Sequence, residues 1–283
     1  MSDKRVLVVG LGEVGRSVLR LLVRHEERLG LDVKGVDKSP EAANDAMHAT
    51  GVFCTTGLDD AMLGAPDVVS LCVPCGEDFE PLYIVLAVAM HRWRAALFSI
   101  ESTVPRPGGV PALVEDRDVI MFPHRLSPHD EGHDEADSDV RVMGGVTSRA
   151  LHRGIRFWGP IVGLDRIIAC TWEEAVLCKV MENAARFVEI ALVEEIAMAA
   201  ERHGVEPHRL LDLMRTKWNM GHLPEPLDGI GRHCLPKDVE FAAKLTGDKH
   251  NCLFSAAMDT DDAYQTDLDA VIKHFKKFGS SKG

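Results

Sequence analysis

The chain has 283 residues, 46% of them hydrophobic and 27% charged, and a formal net charge of -12 at pH 7. That length accommodates one large domain or two of ordinary size with a buried core. The acidic balance argues against nucleic acid, because phosphate contacts need clustered Lys and Arg. The longest apolar run, PLYIVLAVAM (81–90), is far short of a membrane span, so no membrane partner is expected.

From the N-terminus, MSDKRVLVVG enters a strand-like run without the apolar stretch and cleavage site of a signal peptide. Seven cysteines at irregular spacing suit reduced thiols, hence a cytoplasmic protein, better than a disulfide framework. RVLVVG (5–10), DVKGVD (32–37), VVSLCVP (68–74), ALFSIEST (96–103) and VIMFPH (119–124) read as strands, with helices at about 13–25, 41–49 and 77–93. Near-continuous apolar strands alternating with helices predict a doubly wound parallel sheet of Rossmann type, an α/β domain over residues 1–168. Within it Gly10, Gly12 and Gly15 have G-x-G-x-x-G spacing between a strand and a helix. The glycines permit a tight turn, a close backbone approach to pyrophosphate and close helix–strand packing. Asp37 ends the next strand, 22 residues after Gly15. A carboxylate there accepts ribose hydroxyls and repels a 2′-phosphate, which favours NAD over NADP; Lys38 and Ser39 soften that preference.

A polar loop, SPHDEGHDEADSD (127–139), follows, and then the texture becomes helical. The segment 171–204 opens on Thr171 and Glu174, a T-x-x-E capping box, and closes at Gly204. Apolar residues occupy more than one of its faces, so it is expected to pack against a second helical layer or a second chain. This predicts an all-α central domain over 169–260 with one long helix, dimerising through 171–203, and a helical tail with a disordered end over 261–283.

Lys179 and Asn183 lie four apart on the long helix and share a face. Cys234 precedes LPKDVEFAAKL, where Pro236 suits a first helical turn. A helix N-terminus and a nearby ammonium lower a thiol's pKa, as a nucleophile requires. From the residues alone Cys234 is a nucleophile, a metal ligand or a small buried hydrophobe, and Asp238 an acidic residue suited to a first turn. Cys72 and Cys75 form one C-x-x-C without a second pair, and His124, His129 and His133 lie among Asp and Glu without a scaffold; no metal site is expected.

Taken together, VLVVGLGEVG, ESTVPRPG (101–108), VMGGV (142–146), EEAVLCKVMENAARFVEIALVEEIA (173–197) and GIGRHCLPKD (229–238) resemble the UDP-glucose/GDP-mannose dehydrogenase family. The resemblance covers nearly the whole chain in order. It implies two NAD-dependent oxidations that convert a sugar CH₂OH to a carboxylate. On that basis Cys234 is the thiol that traps the aldehyde, Lys179 and Asn183 stabilise oxyanions, and Asp238 and Thr103 hold the hydrolytic water. The expected cofactor-binding set is Gly10, Gly12, Glu13, Val14, Gly15, Asp37, Lys38, Val73, Pro74 and Thr103, and the expected substrate is a nucleotide sugar or a related alcohol. Three features depart from the family pattern. His124 stands where a glutamate is usual, Arg232 replaces a glycine in G-G-H-C, and the chain ends near the point where members continue into a further nucleotide-binding domain. Two other readings follow from these departures: a two-electron dehydrogenase of a small alcohol with Lys179 as acid/base, and a non-catalytic NAD-binding regulator.

Overall fold

The structure is a computed structural model describing residues 4–58, 60–61, 64–114, 116–125, 139–226, 229–230, 234–247 and 251–279, with side chains to 266. Packing divides the chain into two compact units, Met1–Lys179 and Val180–Gly283. The first includes the opening turns of the long helix, because Trp172, Ala175 and Val176 belong to its core.

The first unit alternates strands and helices: β1 (Lys4–Val9), α1 (Glu13–Arg24), the short α2 (Glu26–Leu29), β2 (Leu31–Val36), α3 (Pro40–Thr50) and β3 (Cys54–Thr55). Then come β4 (Val68–Leu71), α4 (Leu82–Arg92), β5 (Leu97–Ile100), α5 (Gly109–Val114), β6 (Asp118–Met121), β7 (Arg141–Gly145), α6 (Ser148–Val162) and β8 (Ile167–Thr171). The sheet order is β3-β2-β1-β4-β5-β6-β7-β8. Pairing is parallel from β3 to β6, antiparallel between β6 and β7, and parallel again between β7 and β8.

The period of two along β1 sorts its side chains onto the two faces. Leu7 and Val9 join α4's Leu82 and Leu86 in one core, while Val6 and Val8 join α1's Leu19 and Leu22 and α6's Trp158 in the other. Burial on both faces explains why these strands read as continuous apolar runs, and the expected doubly wound sheet is present.

The structure adds β3, β7, β8 and α6 to the expected elements and shortens others. The fourth strand ends at Leu71 rather than residue 74, and the fifth at Ile100 rather than 103. The helix expected from 77 begins at Leu82, because Gly76–Pro81 folds as a turn in which Cys75 bridges to Pro81.

The second unit is helical. The long helix α7 (Trp172–Arg202) runs through the division and continues into α8 (Pro207–Arg215), α9 (Cys234–Leu245) and α10 (Leu253–Gly279). Its capping box is reciprocal: Glu174 N–H donates to Thr171 Oγ1 at 3.2 Å and Thr171 N–H to Glu174 Oε2 at 2.8 Å. Gly204, with φ +68°, takes the left-handed conformation that follows the helix end. α7 is apolar on several faces because its own chain covers several of them. Val180, Ala184, Phe187 and Ala191 pack with α9's Val239 and Phe241 and α10's Ala257; Val193 packs with Leu211, and Ala197 with Tyr264. α10 runs unbroken through residue 261, where a separate tail was expected to begin.

Candidate active site

In the first unit, Gly10 has φ +88°, and a Cβ there would lie 2.8 Å from the carbonyl carbon and oxygen of Cys72. A Cβ on Gly15 would lie 1.8 Å from Gly10 O. Both glycines are therefore demanded by the protein's own packing. Gly12 differs: a Cβ there would meet nothing within 4 Å. It is the exposed N-cap of α1, makes no side-chain capping bond, and is followed by exposed Glu13 and half-buried Val14. Open space before uncapped helix N–H groups is the form of a pyrophosphate cradle.

Asp37 follows β2, and its carboxylate accepts from Leu11 N–H at 2.6 Å and Ser39 N–H at 2.9 Å. It ties the glycine turn to the start of α3, and each oxygen retains a lone pair able to take a ribose hydroxyl. Lys38 beside it is exposed. Val73 is buried and Pro74 exposed in the turn after β4. Ser102 Oγ donates to Val73 O at 2.6 Å, which joins that turn to half-buried Thr103 after β5. All these residues lie at the carboxyl ends of β1, β2, β4 and β5, where the strand order reverses between β1 and β4. Open α/β sheets bind ligands at such a switch point, and the residues fit a dinucleotide.

Beside them lies a buried polar network outside the expected site. Glu101 and Arg141 are each 2% exposed, and Arg141 Nη2 donates to Glu101 Oε2 at 2.5 Å. Ser99 Oγ donates to Glu101 Oε1 at 2.6 Å, and His124 Nε2 lies 3.0 Å from Oε2. Burial opposes ionisation of Glu101, but the Arg141 charge and the His124 and Ser99 contacts prevail and bring its pKa to about 2. Burial, then the Arg141 charge, with a further contribution from Lys179, bring His124 to about 4 against the pull of Glu101, so the imidazole is neutral at pH 7. At the level of sequence Glu101 reads as part of the strand ALFSIEST and of the motif ESTVPRPG, with no role of its own; the signal it offers is a charged residue that proves to follow directly on an apolar strand ending at Ile100.

The second unit brings Asn183 and Asp238 together: Asn183 Nδ2 donates to Asp238 Oδ2 at 2.5 Å. Lys237 Nζ lies 2.9 Å from Asp238 Oδ1. Asp238 is fully buried and is the fifth residue of α9, past the first turn in which the sequence suggested it. Cys234 is the first residue of α9 and is exposed, which overturns the buried-hydrophobe reading. One helical turn separates it from Asp238, so the two share a face. Lys179, at the end of the first unit, stands one turn before Asn183 on α7. Among the described residues no group of three or more His, Cys, Asp or Glu is placed to hold a metal. His129, His133 and Arg232 lie outside the described residues.

Residues 173–262 match the central-domain model of the UDP-glucose/GDP-mannose dehydrogenase family. The chain is 27% identical over 269 residues to a UDP-N-acetyl-D-mannosamine dehydrogenase of Pyrococcus horikoshii, covering 83% of this chain and 62% of that protein. It is likewise 27% identical to a UDP-N-acetyl-D-glucosamine 6-dehydrogenase of Pseudomonas aeruginosa, covering 85% of this chain and 63% of that protein. The chain thus spans rather less than two thirds of the length of either relative. Among solved structures, the P. horikoshii UDP-D-ManNAc dehydrogenase superposes with a TM-score of 0.75 at 24% identity, over 97% of this chain and 72% of that one. A 3-hydroxyisobutyrate dehydrogenase of Mycobacterium tuberculosis superposes with a TM-score of 0.67 at 22% identity, over 94% of both chains. Likeness at these identities concerns the fold.

Proposed function

We propose that the chain, whose residues 173–262 match the central domain of the UDP-glucose/GDP-mannose dehydrogenase family, is a member of that family and an NAD-dependent dehydrogenase oxidising the CH₂OH of a nucleotide sugar to a carboxylate. The observation that carries the reading is an exposed thiol, Cys234, opening a helix one turn before a buried Asp238 held by Asn183. That arrangement supplies a nucleophile and fixed polar groups on adjoining helices, and the glycine turn supplies the cofactor cradle.

Gly10, Gly12, Glu13, Val14, Gly15, Asp37, Lys38, Val73, Pro74 and Thr103 would hold NAD, which would supply the hydride acceptor for both oxidations. Cys234 sulfur adds to the aldehyde carbon as a thiohemiacetal, which keeps a reactive intermediate attached to the protein. Loss of the second hydride leaves a thioester on Cys234. Water then attacks the acyl carbon, the C–S bond breaks, and carboxylate and thiol are released. Lys179 and Asn183 steady the negative oxygen at each stage, since fixed donors need little reorganisation. Asp238 and Thr103 hold the water.

The test is stoichiometry against a panel of UDP-sugars: two NADH and one acid per substrate. A second reading is a two-electron oxidation of a small alcohol with Lys179 as acid/base. It yields one NADH and no acid. Saturable NAD binding without turnover on either substrate class would indicate a regulator instead.

The chain is further proposed to act in the cytoplasm as a homodimer through residues 171–203. Leu177 and Leu192 of α7 are 37% and 48% exposed. With Met181, Ala185 and Val188 they form one stripe at helical spacing, an apolar face suited to the same face of a second copy.

A further inference from the structure

We propose that the outer face of α4 is a self-association surface that takes the same face of a second copy of this chain, antiparallel across a two-fold axis. That surface lies wholly within the first unit, and its role depends neither on the dehydrogenase reading nor on the α7 contact proposed above.

A helix that covers a sheet is expected to bury one stripe and turn charges outward. α1 does so: Leu19 and Leu22 join the core, while Glu13, Arg20 and Arg24 are exposed. α4 does not. Its Leu82, Leu86, Ala89 and Met90 are buried in the core. Yet Ile84 and Val88 are 54% and 48% exposed, and Ala87 is exposed between them. Ile84, Ala87, Val88 and His91 recur at i, i+3, i+4 and i+7, one continuous stripe about 10 Å long at about 1.5 Å per residue. A helix apolar on both sides is the pattern of one covered on both sides. The described residues of this chain cover only the inner one.

Shape and charge identify the occupant. Beside Ala87 and Val88 the surface forms an open hollow of about 610 Å³, lined also by His91 and Arg92. With a two-fold axis between Ala87 and Val88, residue 87 of one copy lies opposite residue 88 of the other. Each Val88 then enters the hollow beside the other copy's Ala87, and each Ile84 lies against the other copy's His91.

The flanking charges select the same arrangement. Glu77, Asp78 and Glu80 are exposed just before α4, and His91, Arg92 and Arg94 are exposed at its other end. An antiparallel pair brings the acidic end of each helix to the basic end of the other at both edges of the contact, with Glu80 nearest Arg94. A parallel pair would set like charges together. The helix dipoles are also opposed in the antiparallel pair. In a chain of net charge -12, which otherwise repels its own copies, this is a place where two copies attract. The contact is self-complementary and closes on itself. Two helices of this length bury less than the roughly 1,600 Å² of a standard interface, so the association is expected to rise with concentration.

Sedimentation velocity of the full chain over a range of concentrations reads that association. Wild type should associate as concentration rises, and Val88→Asp should weaken the association by about tenfold or more, since it carries an unpaired charge into an apolar contact. Val88 is half exposed, so the melting temperature of the variant should match the wild type; if it does not, the charge reversals carry the test alone. Glu80→Arg and Arg94→Glu should each weaken association, and the double variant should restore it, because the two charges then face each other with signs exchanged. Wild type that stays monomeric at every concentration overturns the proposal and leaves the face to a different partner. Association unchanged in a folded Val88→Asp, or lost only in Leu192→Asp on α7, overturns it as well. A double variant as weak as the single ones overturns the antiparallel pairing. None of these readouts involves turnover, so failure of the dehydrogenase reading leaves the result unaffected.

Discussion

Asn183 Nδ2 donates to Asp238 Oδ2 at 2.5 Å, joining α7 to α9 through a carboxylate with no exposure to solvent. A hydrogen bond to a charged group contributes about 1.5–3 kcal/mol, and losing it leaves a buried carboxylate short of a donor. Asn183→Ala is expected to lower unfolding free energy by about 2 kcal/mol in urea titration, in addition to any effect on turnover. A stability within about 0.5 kcal/mol of wild type would show that water replaces the amide at no cost.

The glycines separate fold from binding. Gly12→Ala meets no protein atom within 4 Å, so its melting temperature should match the wild type. Its NAD affinity, measured calorimetrically, should fall by about tenfold or more because the new methyl occupies the cradle. Gly15→Ala would press on Gly10 O and should lower the melting temperature outright. If Gly12→Ala binds NAD normally, the cofactor does not pass over that turn.

Cys234→Ser should leave NAD binding intact and abolish acid formation, since a hydroxyl at this position is a far weaker nucleophile than a thiolate. Unchanged acid production in that variant, followed by chromatography of the product, would refute the covalent mechanism.

Glu194 on α7 is fully buried, and neither carboxylate oxygen has a hydrogen-bond partner among the described residues. Burial first, and the nearby Asp261 second, raise its pKa to about 8. The folded state therefore binds this proton more tightly than the unfolded state. Its contribution to stability is fully present below pH about 4.5, declines as pH rises, and is gone above about 8. Glu194→Gln removes that decline. The variant should be more stable than wild type by a few kcal/mol at pH 8.5, with the difference shrinking toward pH 5, in urea titrations at the two pH values. An equal difference at both would mean that Glu194 does not carry a raised pKa.

Some of this was legible residue by residue. The glycine turn and the Thr171–Glu174 capping box were readable because their requirements are local: a backbone angle, a close approach, two mutual hydrogen bonds. α6 escaped notice because Gly154, Gly159 and Pro160 resemble helix breakers. Yet a Cβ at Gly154 would press on Ile120 and Met143, so that glycine is there to let the helix lie close on the sheet. β8 escaped because it is an edge strand, with Ile168 53% exposed, and has no continuous buried run to reveal it. Glu101 and Arg141 were invisible as a pair because 40 residues separate them.

The sequence by itself determined the alternating first unit, the long capped helix and the residue types at the proposed reaction centre, since hydrophobic period, capping and glycine requirements act over a few neighbouring residues. Only the tertiary structure decided that Cys234 is exposed, that Asp238 is buried against Asn183, and that a neutral His124 is held beside Glu101. Solvent access and charge environment are set by whichever distant segments fold against a side chain, and no local pattern records them.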